Sequence, residues 1–330
     1  LIVAFREINC RCRNFLFWGA AGLIPALLSL MAVLNFPDED LFWNELQNFA
    51  HIPLFGVIAL LALYLCNALN RPAAPPIWCY GAAFVTTMTI GFFSELLQMP
   101  GPRDADFGDL IKDAAGASCA LAFYATYAGH RFVPVHHLRR FLIRAAVVGI
   151  IAYFVWPVGL EAATKIAHMR VFPLICDFEG FLRTRLIEHN EHAGFNRVRV
   201  PVKWQTNKSR YAGCVTFEDG AYPGFAFCNI RADWKDFNRL TFIVFSKEKR
   251  SVELHCRIHD THHNNEYADR FNITLTIKPG GDTIEIPLDQ VAGAPEGRTM
   301  DMSAIDCIGI FMVKPLRPVT LYFDDFKLER

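Results

Sequence analysis

Five apolar runs, each about the 20 residues a helix needs to cross a hydrocarbon core, fall within the first 160 residues. They cover residues 15–34, 49–66, 77–94, 110–129 and 141–160. The first carries no charge, and the second is charge-free unless His51 is protonated. Glu95 closes the third, Lys112 and Asp113 stand at the mouth of the fourth, and Arg144 lies near enough to the start of the fifth to snorkel. Backbone in a bilayer must satisfy its own hydrogen bonds, so such a segment is expected to be a bundle of about five transmembrane helices. Charge density then changes. Residues 1–170 hold 12 basic and 11 acidic side chains, against 21 and 22 in residues 171–330. A membrane half is therefore expected to join a water-exposed half, with a helical unit at 1–160, a linker at 161–176 and a second domain at 177–330. A mean hydropathy of +0.21 with 20% charged residues argues against disorder and against a wholly soluble enzyme. The balance of 33 Lys and Arg against 33 Asp and Glu gives no reason to expect nucleic acid as a partner. The sequence begins at Leu1 rather than Met, so an incomplete N-terminus is one expectation. The first run, followed by others of similar length, is expected to span the bilayer rather than act as a cleaved signal.

Lys and Arg concentrate in cytoplasmic loops, which gives the helices a direction. Arg6, Arg11, Arg13, Arg71, Arg131, Arg139, Arg140 and Arg144 lie on one side of a five-span chain. Arg103, Lys112, Lys165 and Arg170 lie on the other. The expected topology is a multi-pass inner or plasma membrane protein with a cytoplasmic N-terminus and an extracytoplasmic C-terminal domain.

That topology brings several polar residues to one depth at the outer mouth. His51 opens the second run. Glu95 and Gln98 close the third with the i, i+3 spacing of one helix face. Arg103 follows, and Asp109 and Asp113 open the fourth run at i, i+4. Ionisable groups at that depth are costly unless they pair or meet water. Arg103 is the expected partner for Glu95 or an aspartate, through its planar two-donor fork. The string Glu95-x-x-Gln98, Arg103-x5-Asp109-x3-Asp113-x2-Gly116, with His51 upstream, resembles the VanZ-like membrane family over roughly residues 15–130. That family is named for a teicoplanin-resistance protein. The resemblance implies a small multi-span bacterial envelope protein of the glycopeptide-resistance type. The family often has Asn where Asp113 stands, and an Asp-Lys pair where this chain has Gln47 and Asn48. One reading makes the cluster a structural ion pair that fixes helix packing. The other makes His51, Glu95, Gln98, Arg103, Asp109 and Asp113 a polar cleft for a lipid-linked or envelope head group, with binding or proton-transfer roles.

From Asp177 onward the pattern becomes two-residue alternation broken by turn residues, which predicts strands. They are expected at 198–204, 211–217, 224–230, 240–246, 252–258, 271–277, 283–286, 308–312 and 320–328, with a turn over Pro279-Gly280-Gly281-Asp282. Nine strands in such a length fit an all-β jelly-roll sandwich. Several strings are similar to those of carbohydrate-binding modules with a galactose-binding-like jelly roll. They are Asp177-Phe178-Glu179, Asp233-Trp234, Arg257-Ile258-His259-Asp260, Tyr267-x-Asp269-Arg270-Phe271-Asn272 and Leu321-Tyr322-Phe323-Asp324-Asp325. The resemblance, over about 177–330, implies a glycan partner. A pyranose needs an aromatic platform and polar groups for its hydroxyls. Trp204, Tyr222, Trp234 and Tyr267 are the candidate platform, and Arg257, His259 and Arg270 the candidate polar contacts. The resemblance also implies a structural Ca²⁺ shared by Asp177, Glu179 and Asp324. The alternative is that these are solvated strand-end acids.

Other patterns are weaker. Cys10 and Cys12 are too few for a metal site. The second half holds Cys176, Cys214, Cys228, Cys256 and Cys307, an irregular odd set compatible with one disulfide. His255 and His259 share a strand face but stand about 13 Å apart by strand rise, too far for one zinc ion. No nucleotide-binding loop or nucleophile elbow is present. The leading expectation is an envelope protein that binds envelope polysaccharide or a lipid-linked sugar through its sandwich and its membrane-mouth cleft. A membrane enzyme acting on a lipid-linked head group, and an assembly factor with a protein-binding sandwich, remain as alternatives.

Overall fold

A computed structural model describes residues 17–29, 40–70, 77–98, 107–128, 137–200, 204, 209–230 and 232–330. The chain divides into two units, Leu1–Glu161 and Ala162–Arg330.

The first unit is helical. Its elements are α1 (Phe17–Ser29), α2 (Leu41–Asn70), α3 (Ile77–Gln98), α4 (Phe107–Ala128) and α5 (His137–Val171), the last running into the second unit. Asp40 starts α2 by accepting the Phe42 N–H at 3.0 Å, as an N-terminal cap does. Pro53 and Pro157 lie inside α2 and α5, where each removes one helical N–H donor. Among the described residues three helices are long and apolar enough to cross a membrane: Leu41–Leu69, Ile77–Leu96 and His137–Val171. The described helices thus do not reproduce five spans. α1 is described over a shorter length, and α4, though 22 residues long, carries Asp109, Lys112 and Asp113 in its opening turns.

α2 and α4 meet through small residues. Gly116 lies directly on the Ile52 backbone, and a Cβ there would collide with the Ile52 carbonyl. Gly56 faces Gly116 and Ala120, and Ala59, Ala62, Leu63, Cys79, Ala83, Ala117 and Leu121 complete a buried cluster. Small side chains let helix backbones approach closely in this way. The approach sets the start of α2 against the start of α4.

The second unit is an antiparallel β sandwich. Its strands are β1 (Leu174–Cys176), β2 (Ile187–His189), β3 (Ala193–Arg199), β4 (Tyr211–Phe217), β5 (Gly224–Phe227), β6 (Arg239–Ser246), β7 (Val252–Asp260), β8 (Phe271–Ile277), β9 (Gly280–Pro287), β10 (Ile305–Phe311) and β11 (Val319–Glu329). A short helix, α6 (Leu288–Ala292), follows β9. One sheet runs β3-β4-β11-β6-β9 with β1 also on β11; the other runs β2-β5-β10-β7-β8. The core between them is dominated by aromatics. Phe326 stacks on Phe242 at 4.6 Å and meets Phe227 edge-on at 4.8 Å, with Phe178, Phe217 and Phe323 wholly buried nearby. Each such ring contributes about 1.5–3 kcal/mol by leaving water. β7 shows the alternation cleanly: Leu254, Cys256 and Ile258 face inward, and His255, Arg257 and His259 face outward.

Eleven strands are present among the described residues, two more than the alternation predicted. β1 and β2 have three residues each, too few for a period to register. Residues 161–176, expected as a linker, are instead the last turns of α5 and strand β1. β3 begins earlier than expected, and most of the predicted end of that strand, 201–203, lies outside the described residues. Gly280 and Gly281, expected in a turn, open β9, with Gly280 at φ +93° where a side chain would be strained. Cys228 and Cys307 form a disulfide, while Cys176, Cys214 and Cys256 are free thiols.

Candidate functional site

The outer face of the β2-β5-β10-β7-β8 sheet carries a groove of about 760 Å³. Strand register builds its floor. One row across the sheet reads Glu188, Ala226, Gly309, Arg257, Asn272. The next reads Gly224, Phe311, His255, Thr274. Small residues at Gly224, Ala226 and Gly309 make the trough. Arg257 lies across Gly309: a Cβ there would stand 2.7 Å from Nε and 2.8 Å from Cγ. Glycine at 309 is therefore what lets the guanidinium lie flat in the groove.

An exposed tyrosine, gripped by an asparagine, stands on each side. Asn190 donates to the Tyr222 carbonyl at 2.6 Å and accepts the Gly224 N–H at 3.3 Å. Tyr222 is 60% exposed and meets Phe311 edge-on at 6.1 Å. Phe311 stacks on His255 at 5.4 Å, and His255 pairs with the Thr274 hydroxyl at 3.0 Å. Opposite, Asn272 donates to the carbonyls of Tyr267 and Arg270 at 3.1 and 3.3 Å and accepts from Arg270 Nε at 3.0 Å. The Arg270 guanidinium lies 5.4 Å from the centre of the Tyr267 ring, and Tyr267 is 70% exposed.

The segment carrying Tyr267 is held from below. Arg298 donates to both Asp260 oxygens at 2.6 and 2.8 Å and also to Asp269. Asp269 further accepts the Asn264 N–H at 2.9 Å. The Arg298 and Asn264 donors hold the Asp269 carboxyl down at about 2. Burial pushes Asp260 up, but Arg298 and the Asp301 N–H outweigh it and leave Asp260 below the usual carboxylate range. His259 lies beside the groove, stacked on His263 at 4.5 Å. Burial, then the neighbouring His263 and Arg257, lower it to about 4, so it is neutral at pH 7.

Of the residues expected to contact a glycan, Tyr222, Tyr267, Arg257 and Arg270 line this groove. Trp234 does not: it is wholly buried in the core. Trp204 stacks on Phe245 at 5.2 Å and meets Tyr322 of β11, on the other sheet. His255, Phe311, Asn190 and Asn272 were missed. Their shared face depends on pairing between strands distant in sequence.

The three acids of the Ca²⁺ expectation each have a partner within the chain. Asp177 is ion-paired with Arg183. Glu179 accepts the N–H groups of Arg210 and Tyr211. Asp324 is buried and accepts the Asp325 N–H at 2.9 Å, and burial pushes its carboxyl up to about 7. Arg183 and the Arg210 and Tyr211 N–H groups thus take up oxygens that a hard cation would need. Among the described residues no group of three or more His, Cys, Asp or Glu side chains is placed to hold a metal.

A second polar centre lies in the helical unit. His51 is buried, with Nδ1 2.8 Å from Asp113 Oδ1 and Nε2 3.6 Å from Asp109 Oδ2. Lys112 donates to Asp109 at 2.6 Å and to the side-chain oxygen Oδ1 of Asn48 at 2.9 Å. Asp113 is wholly buried, and Gly91 of α3 leaves room for it: a Cβ there would stand 2.7 Å from Oδ2. Glu95 is buried on α3. Gln98 is the last residue of α3, and Arg103 lies outside the described residues. An imidazole held between two carboxylates can hold or pass a proton. Asn48 and Lys112 were not foreseen as members of this centre.

No family model matches the chain, so the expected VanZ-like resemblance over residues 15–130 finds no support there, and no curated protein matches it. Solved structures do. The chain is similar to an exo-beta-agarase at 15% identity and a TM-score of 0.39, covering 47% of this chain and 24% of that one. It thus spans about a quarter of the agarase. It is also similar to the family 11 carbohydrate-binding module from Clostridium thermocellum in complex with a beta-1,3-1,4-mixed-linked tetrasaccharide. There the identity is 19% and the TM-score 0.37, over 47% of this chain and 94% of the module. The family 30 module of a cellulosomal cellulase from Clostridium thermocellum is 13% identical, with a TM-score of 0.32, over 43% of this chain and 88% of that one.

Proposed function

We propose that this chain is a multi-pass envelope protein whose β sandwich binds a glycan in the Tyr222–Tyr267 groove. The observation that carries this reading is the groove itself. Two exposed tyrosines are held by asparagines either side of a floor of glycine and alanine, with Arg257, His255 and Thr274 presenting polar atoms between them. Aromatic faces suit the apolar face of a pyranose, and the polar atoms suit its hydroxyls. Clamped backbones mean little entropy is lost when the ligand docks.

The proposal also takes the apolar runs as about five spans, with the N-terminus in the cytoplasm and the sandwich outside. The loop charges support that orientation. The Cys228–Cys307 disulfide supports an oxidising compartment for the sandwich. The ligand's source would be envelope polysaccharide or a lipid-linked sugar. The test is a glycan array probed with detergent-solubilised full-length protein, wild type and the Tyr222→Ala/Tyr267→Ala pair. Wild type is expected to retain a defined glycan set and the pair to lose it. Equal retention by both would defeat the proposal.

A second reading rests on His51 seated between Asp109 and Asp113. In the VanZ-like reading this centre handles a lipid-linked head group, with His51 moving a proton. Turnover of a lipid-linked sugar by the full chain, abolished in His51→Gln, supports it. Absence of turnover with intact glycan binding leaves the centre as a packing device.

A further inference from the structure

The groove's charge is lopsided. Among its described lining residues Glu188 is the only carboxylate, whereas two arginines, Arg257 and Arg270, line it. Register sets Glu188 three strands from Arg257, about 14 Å at the usual strand spacing. Arg257 is half-buried and has neither an ion pair nor a side-chain hydrogen bond among the described residues. Burial and the nearby Arg270 both disfavour its charge, yet a guanidinium stays charged at neutral pH. Arg270 spends only its Nε, on Asn272, which leaves its terminal nitrogens without a hydrogen bond among the described residues. A partly desolvated cation with no counter-charge is costly, and a ligand anion recovers that cost. The hydroxyls of a neutral sugar accept from it but bring no counter-charge, so they recover only part of that cost.

On the reading of the groove as a glycan site, we propose that its ligand is an acidic glycan, whose carboxylate or sulfate groups are received by Arg257 and Arg270. The guanidinium fork pairs with either anion through two parallel hydrogen bonds. Gly309 holds the Arg257 fork flat so that it meets the chain alongside, and Tyr222 and Tyr267 supply the stacking that a polyanion alone would not need. The acidic groups therefore sit on a sugar chain rather than on a free ion.

The test measures binding of full-length protein to three oligosaccharides of equal length: an oligogalacturonate, a sulfated carrageenan fragment and a neutral gluco-oligosaccharide. At least one acidic chain is expected to bind about tenfold or more tighter than the neutral one, an advantage that shrinks at high salt. The preferred chain identifies the acid. In Arg257→Gln the ratio of acidic to neutral affinity is expected to collapse toward one, and in Arg257→Lys to fall only in part. Arg270→Gln gives a second reading should Arg257→Gln fold poorly. Neutral binding as tight as acidic in wild type, with salt without effect, overturns the inference and leaves a glycan site. Failure of all three to bind overturns the inference together with the glycan reading beneath it.

Discussion

Gly309 and Arg257 act as one device. The absent side chain at 309 is what gives the guanidinium its bed, with Nε 2.7 Å from where a Cβ would stand. Gly309→Val should lift Arg257 off the floor and lower glycan affinity at least tenfold, about 1.4 kcal/mol. Titration of the variant against wild type checks this; unchanged affinity would show that the flat arginine does not matter. Asp324 carries a different kind of information. Burial raises its folded carboxyl to about 7, well above its unfolded value. The folded chain therefore binds the proton more tightly than the unfolded one. Its contribution is fully present below the unfolded value near pH 4 and is lost as pH rises toward 7. Asp324→Asn removes that dependence, and the variant is expected to melt several degrees above wild type at pH 8 but not at pH 4. Melting scans at both pH values check it. Individual residues were unevenly legible in sequence. Spacing found His51, Asp109 and Asp113, because helical depth can be counted along a chain. It misplaced Trp234, because an aromatic beside Asp233 gives no sign of which way it faces, and burial decided that.

Elements are set by contacts that a local pattern only partly reveals. β7 and β11 were readable because each has nine or more residues with one face buried, and β6 because its apolar run is buried almost throughout. β1 and β2 were not, since three residues carry no period. The end of α5 was hidden for another reason. Glu161, Lys165 and Arg170 end the apolar run while the backbone continues helical to Val171. The α2–α4 seam depends on Gly116, whose position is occupied on the far side by the Ile52 backbone. Gly116→Leu is expected to force the helices apart, break the His51–Asp113 pair and cut the yield of folded protein sharply, whereas Gly149→Leu, on an open stretch of α5, should leave it near wild type. Size-exclusion profiles in detergent compare them. In the sandwich, Arg298 ties β7 to the Tyr267 segment through Asp260 and Asp269. Arg298→Met leaves two carboxylates without their cation and is expected to lower the denaturant midpoint of unfolding, and to weaken glycan binding by loosening Tyr267.

At the scale of the whole molecule, the chain joins two chemistries. One is a helical unit with, among the described residues, three helices long and apolar enough to span a bilayer and a His51–Asp109–Asp113 centre. The other is a sandwich with its own aromatic core and an outward groove. The proposed arrangement sets the sandwich outside the cell, where a disulfide persists and a glycan can reach the groove. A phosphatase reporter fused after Arg170 is expected to be active, and a cytoplasmic reporter at the same place silent. The account is tested most directly by labelled oligosaccharide added to right-side-out spheroplasts that make the full chain. Retention on spheroplasts carrying wild type, and loss with the Tyr222→Ala/Tyr267→Ala pair made in equal amount, is the predicted result. Retention only by inside-out vesicles, or equal retention by wild type and the pair, would contradict it.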